Sequence, residues 1–137
     1  MRSAWEALSV RLHLTDQVHF TGKLTGESLL GALNRCRIGV VPSVWEEPMG
    51  LVAVELIAAG LIPVVSERGG LLENVGSIGR SFPNGDVQAL VAVLRELLER
   101  PKPFPHDQAQ TLIASHHPSA IATRYLRLYS VISPTIR

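Results

Sequence analysis

Two glutamates, Glu47 and Glu55, stand with seven residues between them in the stretch WEEPMGLVAVE. Glu55 is the only charged residue from Met49 to Val65. A carboxylate inside an apolar run is costly unless something compensates it. It repels phosphate and accepts hydrogen bonds from hydroxyls, as the acids that hold ribose in dinucleotide sites do. Between the two acids lies Gly50, whose missing Cβ lets a ligand approach the backbone closely. The amides of Gly50, Leu51 and Val52 fall where a helix would begin. First-turn amides lack intrahelical partners, and together with the helix dipole they favour an anion. The pattern therefore pairs helix-end amides for phosphate with carboxylates for sugar hydroxyls.

Other readings of these residues stand beside that one. Glu55 also fits a structural ion pair with Arg68 or Arg80. Glu46 reads as a solvated loop acid, and Gly69-Gly70 fits a plain turn as well as part of a site. His116-His117, next to Pro118, has no third ligand at metal spacing, so no metal site is expected. Cys36 reads as core or surface rather than nucleophile.

The elements that must position these residues follow from apolar spacing. Trp5, Leu8 and Leu12 make a helical stripe over residues 2–13. Val18 to Gly22, VHFTG, is short, β-rich and stopped by glycine, and predicts a strand. Leu29, Leu30 and Leu33 predict a helix over 27–35. IGVVP at 38–42 predicts a strand. Pro48 suits a first helical position and Gly60 a position just past a helix end, which gives a helix over about 48–59. A strand at 62–66, a helical turn at 71–75 and a weak strand at 78–82 come next. Asp86 suits an N-cap for a helix over 87–100, ended by Pro101, Pro103 and Pro105. A last helix is expected over about 119–131. Short apolar strands alternating with helices imply an α/β fold with a Rossmann-like parallel sheet. Ligands bind such sheets beyond the carboxyl ends of the strands, which is where 43–50 would lie.

Composition narrows the function classes. The 137 residues amount to one domain, and 46% hydrophobic against 18% charged residues suffices for a real core. A net charge of +1 gives no footprint for nucleic acid or a polybasic membrane patch. One cysteine provides no disulfide framework and fits a reducing, cytoplasmic setting. The N-terminal residues contain no apolar run of signal-peptide type. Glu55, Gly60 and Pro63 interrupt the longest apolar run, so no transmembrane segment is expected. Neither G-x-G-x-x-G nor a Walker lysine motif occurs, which argues against the common alternative nucleotide-binding folds.

Five ordered segments together resemble the donor-binding, C-terminal half of a retaining GT-B glycosyltransferase of family 4, the glycosyl transferases group 1. They are VHFTG, IGVVPSVWEEPMGLVAVELIAAG with its E-x7-E spacing, PVVSERGGLLE, GRSFPNGD and the tail carrying Tyr125 and Tyr129. The resemblance implies a nucleotide-sugar donor, UDP-, GDP- or ADP-linked, and hexosyl transfer with retention to an unknown acceptor, without metal or other cofactor. It places Glu47 by the donor sugar as the catalytic-site acid. The amides at Met49, Gly50, Leu51 and Val52 would face the donor phosphate or sugar, Glu55 the ribose, and Lys23 the base.

The resemblance further implies that residues 1–137 are one partial donor domain. The acceptor-binding domain, and the first two strands with their diphosphate-clamping Arg and Lys, have no counterpart here. A partner chain would then supply them, and the isolated chain would have little or no activity. The alternative is a non-catalytic remnant or an interaction subunit of a split glycosyltransferase.

Overall fold

The structure, a computed structural model, describes residues 2–132. The chain divides into two compact units, Met1–Gly31 and Ala32–Arg137.

In the first unit, helix α1 spans Arg2–Arg11. Its expected stripe is only partly buried. Leu8 is half-buried, while Trp5 and Leu12 are exposed along a shallow apolar groove with Leu14 and Phe20. VHFTG is not a strand: residues 18–22 have no strand partner among the described residues. β-branched and aromatic residues favour a strand mainly through packing against neighbouring strands, so local composition alone does not make one. Helix α2, Gly26–Leu33, lies across the division between the units and ends two residues before the expected boundary.

The second unit is an α/β layer structure around a three-stranded parallel sheet, with flanking helices as expected from the sequence. Strands β1 (Ile38–Val41), β2 (Ile62–Ser66) and β3 (Arg80–Phe82) lie in the order β1-β2-β3. The register pairs Val41 with Val65 and Ser66 with Phe82, so the three carboxyl ends lie side by side. Central β2 is buried on both faces, which explains its continuous apolar sequence. On one face, Val65 packs with Ala53, Leu71 and Val75 from helices α3 (Leu51–Ala58) and α4 (Leu71–Val75). On the other, Val64 and Phe82 pack with Leu97 of α5 (Val87–Glu99), and Leu90, Val93 and Leu94 complete that layer. Asp86 caps α5 as expected, its Oδ1 accepting from the Ala89 amide at 2.9 Å.

Helix α6, His106–Ser115, falls where the sequence reading placed no element. Ala109, Leu112 and Ile113 turn toward Ile57 and Ile78, and that packing fixes it. Helix α7, Pro118–Ile132, follows with a largely exposed apolar side that includes Tyr125 and Tyr129. No helix among the described residues is long and apolar enough to cross a membrane.

Candidate functional site

One loop follows each strand at the carboxyl edge of the sheet, and the three loops are joined by hydrogen bonds. The loop after β1 is the hub. Its Ser43 carbonyl accepts from Ser66 Oγ at the end of β2 (2.6 Å) and from Asn84 Nδ2 beyond β3 (2.8 Å). The Glu47 carbonyl accepts from the Gly70 amide at 2.7 Å, and the Met49 carbonyl accepts from Asn74 Nδ2 on α4. Ser43 also donates its hydroxyl to Glu47 Oε1 at 2.9 Å, which orients the half-buried carboxylate.

The Gly69-Gly70 pair is therefore more than a turn. Gly69 has φ 53°, and a Cβ there would collide with the backbone of Glu47. A Cβ on Gly70 would lie 3.0 Å from the Met49 carbonyl carbon. Only glycine lets the second loop run directly against the first.

The start of α3 differs from the sequence expectation. The helix begins at Leu51, not Pro48, and Gly50 is its N-cap in the left-handed conformation, φ 61° and ψ 33°. The cause is the loop packing: residues 47–49 are held against Gly69, Gly70 and Asn74, and Gly50 makes the sharp change of direction into the helix. Met49 thus lies outside the helix. The amides of Leu51 and Val52 are in its first turn, where no earlier helical carbonyl can receive them, and the Ala53 amide closes onto Gly50 O at 3.0 Å.

Glu55 is exposed, so the expectation of a buried carboxylate needing compensation does not hold. The apolar run of α3 has a buried side formed by Ala53, Val54 and Ile57, and an open side formed by Leu51, Val52, Glu55 and Ala58. A charge on the open side keeps its water. The ion pairs considered for Glu55 are not made. Arg68 instead bonds to Glu46 at 2.6 Å, and Arg80 donates to the Gly79 carbonyl. Glu46 is thus not simply solvated, although both partners are largely exposed.

The structure brings Glu47, Met49, Gly50, Leu51 and Val52 together in one loop-to-helix junction, with Glu55 one turn further along the open side of α3. Lys23 lies in the first unit, exposed in the segment before α2. Three residues at the junction escaped the sequence reading as site components: Ser43, Asn74 and Asn84. Ser43 was at least visible as the residue following a strand-ending proline, while the two asparagines join only through the fold. Beside Met49 a cavity of about 380 Å³ opens, walled also by His116, Arg124 and Tyr125.

A profile of the family described as "Glycosyl transferases group 1" matches residues 2–113. The chain belongs to the glycosyl transferases group 1 family. It is 31% identical to an uncharacterized glycosyltransferase of Bacillus subtilis over 95% of this chain and 37% of that protein. It is 44% identical to a glycogen synthase of Mycobacterium tuberculosis over 60% of this chain and 20% of that protein. Among solved structures, the sucrose-phosphate synthase of Thermosynechococcus elongatus superposes with a TM-score of 0.78 at 30% identity, covering 96% of this chain and 34% of that one. This glycosyl transferases group 1 chain thus spans between 20% and 37% of the length of these relatives.

Proposed function

We infer that the β1–α3 junction is the donor site of a glycosyltransferase and takes a nucleotide sugar. The observation that supports this reading is the joining of all three strand-end loops at the carboxyl edge of a parallel sheet, where α/β folds bind ligands. The amides of Gly50, Leu51 and Val52 bind the diphosphate, favoured by the α3 dipole. Glu47, oriented by Ser43, accepts hydrogen bonds from the donor sugar and helps to place its anomeric carbon. Glu55, on the open side of α3, accepts the ribose hydroxyls, and its exposure leaves the carboxylate accessible to them. Lys23 contacts the base. The reaction is transfer of a hexosyl group with retention, without a metal, to an acceptor. The group 1 relatives, named as glycogen and sucrose-phosphate synthases among others, favour a hexosyl donor.

Calorimetric titration of the monodisperse chain with UDP, GDP, ADP, UDP-glucose and GDP-mannose tests the reading. Selective binding of one nucleotide, lost in Glu55→Ala, is expected. Absence of binding by the folded native chain would overturn it, and would favour a non-catalytic interaction module.

A further inference from the structure

The carbonyl of Met49 and the amide of Gly50 belong to one peptide group. That peptide is trans, so its C=O and N–H point in opposite directions. Asn74 Nδ2 holds the carbonyl toward α4, and the Gly50 N–H consequently points away from α4. Nothing in the local sequence enforces this orientation. Turns of types I and II differ by rotation of one central peptide, and glycine tolerates the backbone angles of both. A rotated peptide would present the Met49 oxygen where the Gly50 N–H stood, replacing a donor with an acceptor.

Asn74 is itself fixed from the other side. With its Nδ2 committed to Met49, its Oδ1 needs a donor, and His116 Nε2 lies 2.8 Å away. The shared geometry assigns the proton to Nε2. His116 is the C-cap of α6, and its Nδ1 faces the Leu112 carbonyl at 2.9 Å and Ser115 Oγ at 3.2 Å. With Nε2 donating to Asn74, Nδ1 of the neutral ring accepts from the Ser115 hydroxyl, and it bonds to the Leu112 carbonyl only when the ring carries a second proton. An Asn amide turned over would set its oxygen against the Met49 oxygen and its NH2 against the Nε2 proton.

We propose that Asn74, oriented by His116, is a positioning residue that locks the Met49–Gly50 peptide with its N–H directed as an anion donor. The functional half of this inference rests on the donor-site reading above. Neither residue touches the donor in this scheme. They act through one peptide, from an element 25 residues downstream of Met49 and a helix end 42 residues beyond Asn74.

The test is NMR of the full-length chain, observing the Gly50 and Leu51 amides by relaxation dispersion, which reports microsecond-to-millisecond exchange. The native chain should show one state. Asn74→Asp keeps the shape but sets an acceptor against the Met49 oxygen, and it should cause exchange broadening or a second set of signals at these two amides. His116→Ala should do the same to a smaller degree, and His116→Gln, which can donate to Asn74, should restore the native signals. Where Asn74→Asp does not fold, His116→Ala gives the deciding readout. Unchanged Gly50 and Leu51 amides in a folded variant would overturn the inference.

Titration with nucleoside and with nucleoside diphosphate then separates positioning from the donor-site reading. In Asn74→Asp the diphosphate should lose about tenfold in affinity, the order expected for one hydrogen bond to a charged group, while the nucleoside is unaffected. Equal losses for both ligands would overturn the positioning role. If the native chain binds no nucleotide while the amides still respond, the donor-site reading fails and the peptide lock stands.

Discussion

The Gly70 amide donates to the Glu47 carbonyl at 2.7 Å, and this contact joins the loop after β2 to the loop after β1. It places the Gly-Gly turn underneath the acid proposed to face the donor sugar. The other joins between the loops are side-chain bonds to backbone carbonyls, from Ser66 and Asn84 to Ser43 and from Asn74 to Met49.

Gly69→Ala should be severely destabilising. The residue sits at φ 53°, and the new methyl group would run into the Glu47 backbone. Strain of this sort costs on the order of 1–3 kcal/mol before the clash is counted. Urea unfolding should show a clear drop in midpoint. A native midpoint would show that the two loops are not in contact.

Glu55→Ala should leave stability nearly unchanged, within about 0.5 kcal/mol, because the side chain is exposed on the open side of α3. Nucleotide affinity should nevertheless fall. Loss of both stability and binding would point to a structural role instead.

Ile57→Ala should cost about 2–5 kcal/mol, since Ile57 is 1% exposed between α3 and α6. Leu98→Ala, on the same scale, should be nearly neutral, because Leu98 is 70% exposed despite its place in an apolar helix. Thermal unfolding of both variants against the native chain checks the assigned core.

Asp86→Ala should lower stability by about 1 kcal/mol by removing the acceptor for the Ala89 amide. Asp86→Asn keeps a capping oxygen and should recover most of that loss. A fall in midpoint equal to that of the alanine variant would contradict the cap.

Much of the fold was legible wherever local chemistry and tertiary packing agree. The strands at 38–41 and 62–66 announced themselves as apolar runs bounded by breakers, and Asp86 and Gly60 marked helix ends by their own conformational preferences. α6 was missed because its apolar residues, Ala109, Leu112 and Ile113, are few and follow three prolines. Its stability comes from packing on Ile57 and Ile78. VHFTG was misread for the converse reason: its residues suit a strand, but no strand lies beside it among the described residues.

The sequence by itself determined the parallel α/β architecture and showed which acids and glycines share the stretch that makes up the candidate site. It did so because periodicity and breaker residues act over a few positions. Only the tertiary structure decided that Glu55 faces water, that Glu46 takes Arg68, and that α3 begins at Leu51. It alone brought Asn74 and His116 to the Met49–Gly50 peptide. These depend on which side of a helix faces the core and on hydrogen bonds between residues 22 to 42 positions apart, and neither is encoded in any local stretch.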